Sequence, residues 1–171
     1  MIKKSQYKFV LQKKNYDCGV AAVASILLNA GIEDFSYRGL GKELKLSRRG
    51  VTIENIRLFF SKYRELKPKA KLRSTTKDLK RELKNGRLAI VAYQSWGKEH
   101  EIRNLLCGHY SVAVKIFRDQ IYLLDPSGYK DWGDGIGWRV MDLYDFRKMW
   151  IDIEKGKVIK GWMLTIRPIK T

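Results

Sequence analysis

The sequence has few cysteines, prolines and acidic residues. It contains two Cys, three Pro and 18 Asp and Glu, against 35 Lys and Arg, in 171 residues. Two cysteines do not make a disulfide scaffold, and with only two histidines beside them a zinc site would be sparse. We therefore expect free thiols in a reducing compartment and no metal or other cofactor. The prolines begin no linker-like tract, so we predict a single domain over 1–171.

Long hydrophobic runs are also missing. The longest, residues 20–28, is about half the length of a membrane span. Lysines at positions 3 and 4 and again at 13 and 14 interrupt any signal-peptide core. We therefore expect a cytoplasmic protein with no transmembrane segment.

The net charge of +17 is unevenly distributed, with +14 in residues 1–87 and +3 in residues 88–171. Such a basic half suggests an acidic partner, which could be nucleic acid, anionic lipid or an acidic peptide. A solvated lysine-rich surface is the simpler explanation, because the basic residues are spread over many segments. Nucleic acid is less favoured than a peptide, since aromatic residues do not interleave the charges as in a stacking platform.

The order of the predicted elements indicates an α+β fold. The first half is helical: Asp17 can cap a helix that ends near Gly31, Thr52 can cap a second, and Thr75 with Asp78 resembles a capping box for a third. The second half reads as strands at 88–93, 109–117, 121–124 and 162–166, with a short helix after Asp142. We expect a helical lobe at about 1–87 packed on an antiparallel sheet lobe at about 88–171.

Cys18 lies at the start of the first predicted helix, where unpaired N–H groups and the helix dipole stabilise a thiolate. Small neighbours at Gly19, Ala21 and Ala22 would let a substrate approach the sulfur. The alternative is that Cys18 is a small buried hydrophobic residue, as free cysteines often are.

His109 opens a strand, and Asp125 ends the strand expected to pair with it through a short hairpin. The two side chains should therefore be neighbours, with the carboxylate beside imidazole Nδ1. His100 is the poorer candidate for a base, because it lies in a polar stretch that reads as an exposed loop. A structural histidine and a turn-forming Asp-Pro pair are the alternatives. Gln12, six residues before Cys18, could join the Cys18 backbone N–H in binding an oxyanion.

Together these residues resemble the bacteriocin-processing cysteine peptidases. The resemblance lies in the pattern Gln12-x5-Cys18-Gly19, followed by Gly108-His109-Tyr110 and then by Asp125-Pro126. Members of that family are papain-like proteases that cut leader peptides after a double-glycine site, often as the N-terminal domain of peptide-exporting ABC transporters. The resemblance covers most of the chain and implies a papain-like fold, with Cys18 as nucleophile, His109 as base, Asp125 as orienting acid and Gln12 in the oxyanion hole. It also implies a peptide or protein substrate and a peptide exporter as partner. The basic first half of the chain makes an acidic leader peptide a candidate for that substrate.

Several readings stay open. The same residues could pass an acyl group to an amine, as an acyltransferase or transglutaminase-like enzyme does, or the chain could be a non-catalytic peptide-binding module. No membrane or nucleotide-binding domain follows, so we expect a standalone peptidase. The Gly/Trp-rich segment 130–138 is either a loop at the cleft rim or a hairpin turn that covers the sheet, and Cys107 is expected to be structural.

Overall fold

The computed structural model describes residues 3–95, 108–128 and 135–169. The helices are α1 (Cys18–Asn29), α2 (Tyr37–Glu43), α3 (Ile53–Phe60), α4 (Thr76–Lys84) and α5 (Leu143–Met149). The strands are β1 (Lys69–Lys71), β2 (Leu88–Gln94), β3 (Gly108–Phe117), β4 (Gln120–Leu124), β5 (Trp138–Asp142), β6 (Ile151–Glu154), β7 (Lys157–Lys160) and β8 (Met163–Ile166). Six strands form one antiparallel sheet in the order β1-β8-β2-β3-β4-β5, and β6 pairs with β7 in a separate ribbon. The mixed helix and antiparallel sheet architecture confirms the α+β prediction.

The first helix, α1, is apolar nearly all round and is buried along most of its length. It packs against β3 and β2 and forms the centre of the larger hydrophobic core. Asp17 is at its N-cap as expected, but the carboxylate does not cap the helix. Its Oδ1 instead accepts hydrogen bonds from the backbone N–H groups of Lys13 and Lys14, so it holds the loop that leads into the helix.

The other predicted caps are confirmed. Thr52 accepts a hydrogen bond from Asn55 N–H, and Asp142 accepts from the first turn of α5. Thr75 and Asp78 form a reciprocal capping box at the start of α4. These caps satisfy N–H groups that have no partner inside the helix, and so fix where each helix begins.

The sheet separates two hydrophobic cores, because side chains of β2 alternate between its faces. Leu88, Ile90 and Ala92 belong to the core that contains α1. Ala89, Val91 and Tyr93 belong to the core that contains residues of α4 and α5. Helices α4 and α5 therefore lie on the opposite face of the sheet from α1.

An extended segment, residues 7–12, runs from α1 to the end of β4 and is called the strap below. Lys8 exchanges hydrogen bonds with the Asn29 side chain, and Val10 N–H donates to Ser25 Oγ at 2.9 Å. The Gln12 N–H then donates to the Pro126 carbonyl at 2.8 Å. The strap thereby links the helix that begins at Cys18 to the residue that follows Asp125. Within the described ranges, no helix is long and apolar enough to cross a membrane.

Candidate active site

Cys18 is the first residue of α1 and is 8% exposed. The next residue is a glycine for a steric reason: a Cβ at Gly19 would lie 3.2 Å from both the Tyr110 ring and Val51 Cβ. Tyr110 is itself fixed, because its hydroxyl donates to the Val51 carbonyl at 3.0 Å. The strand lobe thus packs directly against the turn that carries the thiol.

His109 and Asp125 meet as the hairpin predicts. Strands β3 and β4 pair antiparallel, and His109 Nε2 lies 3.0 Å from Asp125 Oδ1, with both side chains buried. The predicted nitrogen was wrong, since the carboxylate contacts Nε2 and leaves Nδ1 as the nitrogen available to Cys18. The reversal comes from the orientation of the imidazole in the folded site, which strand pairing alone does not determine.

The charge state of His109 follows from its two partners. Burial lowers its pKa, but hydrogen bonds to Asp125 and to the Cys18 thiol outweigh burial and raise the pKa to about 9. Burial likewise raises the pKa of Asp125, yet hydrogen bonds from His109 and Ser127 prevail and lower it to about 2. Cys18, His109 and Asp125 form what is called the buried row below. Near neutral pH this row therefore contains an imidazolium beside a carboxylate, with the thiol on the other side of the imidazolium.

Further groups that the sequence did not indicate surround Asp125. Its Oδ1 accepts from Ser127 N–H at 2.9 Å and Ser127 Oγ at 2.6 Å, and its Oδ2 accepts from Tyr93 Oη at 3.3 Å. Behind Tyr93, Arg139 donates to the same hydroxyl at 3.3 Å and to Ser95 Oγ at 2.6 Å. Arg139 is buried at the start of a strand that the sequence did not predict, so its need for buried partners could be seen only in the folded chain.

Gln12 lies beside this row through its backbone bond to Pro126. Its Nε2 donates one hydrogen to the Lys14 carbonyl at 3.0 Å, which leaves a second N–H on the same nitrogen. Its Oε1 is buried and has no hydrogen-bond partner within the described ranges. The structure thus brings Cys18, His109 and Asp125 together and places Gln12 at the end of the strap, before the loop that leads into α1.

Asp152, on β6, is a second acidic group near the histidine strand. A Cβ at Gly108 would lie 2.6 Å from Asp152 Oδ1, which explains the glycine before His109. The same Oδ1 accepts from Gln94 Nε2 at 3.1 Å. Burial raises the pKa of Asp152 to about 6 despite these bonds, so its charge varies within the ordinary pH range.

Some predictions fall outside the described residues. His100, Cys107 and positions 130–134 of the Gly/Trp-rich segment are among them. Trp138, the last residue of that segment, is described. It is buried at the start of β5, and its ring makes an edge contact with the ring of Tyr7 in the strap. Among the residues that the structure describes, no group of three His, Cys, Asp or Glu could hold a metal ion.

Comparison with known proteins identifies the family. Residues 6–153 match the model of the peptidase C39 family. The chain belongs to the peptidase C39 family. This C39 chain is accordingly a cysteine peptidase, and the resemblance drawn from Gln12, Cys18, His109 and Asp125 is confirmed at the level of the family. No curated protein sequence matches the chain.

Solved structures with the same fold include three informative relatives. The peptidase domain of Streptococcus ComA, a bifunctional ABC transporter in a quorum-sensing pathway, has a TM-score of 0.66 and 20% identity, covering 95% of this chain and 99% of that one. A double-glycine-motif protease from an AMS/PCAT transporter, solved with its leader peptide, has a TM-score of 0.62 and 18% identity, covering 95% and 92%. A C39-like peptidase from Bacillus anthracis has a TM-score of 0.69 and 14% identity, covering 98% and 96%. These matches confirm the papain-like fold, and none of them supports a nucleic-acid partner.

Proposed function

We propose that this C39 peptidase cleaves leader peptides after a double-glycine site, with Cys18, His109, Asp125 and Gln12 in the roles that the family pattern implies. The observation that carries the assignment is the buried row in which His109 bonds both the Cys18 thiol and Asp125. Relatives of the same fold supply the substrate class, since one was solved with its leader peptide.

The raised pKa of His109 keeps a proton on the imidazole beside Cys18, and the thiolate is the nucleophilic form of a cysteine. The thiolate attacks the carbonyl carbon of the scissile peptide, and the carbonyl oxygen becomes an oxyanion. The Cys18 N–H, which lies at the start of α1 where no helical carbonyl is available, and the second N–H of Gln12 Nε2 would stabilise that oxyanion. His109 then gives its proton to the leaving amine. Water attacks the resulting thioester, passes a proton to His109 and releases the carboxylic acid.

The test is cleavage of a synthetic peptide that carries Gly-Gly before the scissile bond, compared with a peptide that carries Ala-Ala there. We expect Cys18→Ala to remove all measurable turnover without changing the circular dichroism spectrum. Cys107→Ala removes the other thiol of the chain and serves as the matched control, with activity retained. Full activity in Cys18→Ala would overturn the assignment, and products carrying an added amine in mass spectrometry would replace hydrolysis by acyl transfer.

The finer proposal is that the leader is acidic. A cavity of about 370 Å³ opens beside the N-terminus of α1, between the loop at Lys13 and α2. Four cations line it: Lys13, Lys14, Arg38 and Lys42. Its one lining carboxylate, Asp17, is buried and already bonded to backbone N–H groups. Within the described residues none of the four cations forms an ion pair, so they can pair with substrate carboxylates.

Tyr37 places this cavity in electrostatic reach of the thiol. Burial raises the pKa of Tyr37, and the charges of Asp17 and Cys18 raise it further. A glutamate of the leader bound in the cavity would therefore lie near the nucleophile. Exposed ion pairs of this kind contribute up to about 1 kcal/mol each.

We expect Arg38→Gln/Lys42→Gln to reduce the preference for Glu over Gln in otherwise identical Gly-Gly peptides by about fivefold to tenfold. The matched control, Lys80→Gln/Lys84→Gln, removes the same charge from α4 on the opposite face of the sheet. Equal losses in both variants would mean that only the net charge matters. Unchanged preference in Arg38→Gln/Lys42→Gln, with cleavage intact, would rule out the cavity and leave the peptidase assignment standing.

A peptide exporter as partner and a cytoplasmic location complete the proposal. They are supported by relatives that are peptidase domains of transporters, and by the reduced thiol that the mechanism needs. Fractionation of cells that produce the chain, with and without a candidate exporter, would test both.

A further inference from the structure

A second basic cavity is lined by residues of α4, α5 and β7, and none of its lining residues takes part in the proposed peptidase mechanism. It has a volume of about 590 Å³ and is formed by the start of α4, the end of α5 and the end of β7. Its charged lining residues are all cations: Lys77, Arg147, Lys148 and Lys160. Within the described ranges none of these four forms an ion pair, although Lys148 Nζ lies 4.1 Å from the centre of the Tyr144 ring.

The N-terminus of α4 supplies backbone donors to the same cavity. Thr75 and Asp78 satisfy each other in the capping box, which leaves the N–H groups of Thr76 and Lys77 in the first turn without a helical carbonyl. Both residues line the cavity. Asp78, the acidic side chain in the first turn of α4, is engaged by Thr75, Lys71 and Arg81 and does not line the cavity.

Ser74 is a second and independent indication of a ligand site. It lines the cavity and is only 8% exposed, yet its buried Oγ has no hydrogen-bond partner among the residues that the structure describes. Buried hydroxyl groups are nearly always paired, and one that is unpaired beside unpaired N–H groups and cations is typical of an anion site.

We propose that this cavity is a binding site for a phosphate-bearing ligand, separate from the peptidase site. Helix N–H groups and converging cations fit the oxygens of a tetrahedral, doubly charged phosphate. The volume exceeds what one phosphate needs, and Trp150 and Ile151 form an apolar wall, so the ligand carries a further group beyond the phosphate. A small phosphorylated molecule and a phospholipid headgroup share this chemistry.

The test is isothermal titration calorimetry of the full chain with pyrophosphate, with citrate at equal ionic strength as the comparison anion. A second arm measures binding to phosphatidylcholine vesicles with and without phosphatidic acid. We expect saturable binding in one of the two arms, weakened about tenfold in Lys77→Gln/Lys160→Gln. Lys80→Gln/Lys84→Gln removes equal charge from the other end of α4 and should bind like the unmodified chain.

Two single substitutions distinguish a specific binding site from non-specific electrostatic attraction. Thr76→Pro removes one N–H group at the first helical position, where proline is favoured and the extended Thr75 accepts it, so α4 is kept. Ser74→Ala should weaken binding while leaving the melting temperature without ligand unchanged or higher, because the lost hydroxyl had no partner. The proposal would be overturned if Thr76→Pro, Ser74→Ala and Lys77→Gln/Lys160→Gln all bound with the affinity of the unmodified chain. It would also be overturned if neither arm showed binding, or if citrate bound more tightly than pyrophosphate.

Discussion

The carboxylate side and the thiol side of the candidate active site differ in how many hydrogen bonds hold them. Both oxygens of Asp125 are bonded, to His109, to Ser127 and to Tyr93. On the thiol side, Gln12 has a buried oxygen and a second N–H that bond to none of the residues that the structure describes. Under the proposed mechanism, the difference means that the acid and base are fixed before substrate arrives, whereas the groups proposed to touch the substrate keep bonding capacity for it.

The largest effect on activity is expected from a substitution of Asp125, on the carboxylate side of the site. Asp125→Asn removes the charge that holds the imidazolium, and we expect kcat/KM to fall by about a thousandfold. The pKa of His109, about 9 in this structure, should fall as well, so the alkaline limb of the pH–rate profile should move to lower pH. Profiles between pH 6 and 10 measure both.

The same shift predicts how stability depends on pH. The folded-state pKa of His109 is raised above its unfolded value of 6.5, so the stabilisation is complete below that value and is lost as pH rises through about 9. Asp125→Asn should flatten this part of the stability curve. An alkaline limb that does not move in Asp125→Asn would show that another group controls it.

A smaller effect on activity is expected from a substitution of Gln12, on the thiol side of the site. Gln12→Ala removes one oxyanion donor, and we expect kcat to fall by about a hundredfold with little change in KM, because the bond forms only in the transition state. Steady-state kinetics with the Gly-Gly peptide separate the two constants. Gln6→Ala, an exposed glutamine outside the strap, is the control. A rise in KM alone would make Gln12 a substrate-binding group and not an oxyanion donor.

The smallest effect on activity is expected behind the carboxylate. Tyr93→Phe removes the hydroxyl shared by Asp125, Ser111 and Arg139, and we expect the free energy of unfolding to fall by about 2 kcal/mol. Activity should fall by less than about tenfold, because His109 and Ser127 still hold Asp125. Urea denaturation and kinetics on one preparation test both.

Tyr122→Phe is the matched control, since that hydroxyl bonds only to Gln120 among the described residues. Equal loss of stability in the two variants would mean that the shared hydroxyl has no special role.

Patterns local in sequence predicted much of this site. The apolar run after Cys18 predicts α1, and the short turn between β3 and β4 brings His109 to Asp125. Helix α2 was missed because two glycines and one buried leucine, Leu40, give its seven residues little helical signal. The imidazole orientation and the bonds from Tyr93 and Arg139 depend on groups far apart in the chain, which no local pattern encodes. Asp17 was misassigned for a different reason: its carboxylate bonds the N–H groups of Lys13 and Lys14, which precede it, and not those of the helix that follows.

The position of β8 bears on when the enzyme can first act. This last strand lies between β1 and β2 in the sheet, so β1 has no partner in it until β8 has been synthesised. The Cys18 helix emerges early from the ribosome, but the surface on which it packs comes from β2 and β3, and the strap bonds to Pro126 later still. A nascent chain therefore carries its nucleophile long before it carries a base, an acid or a complete sheet.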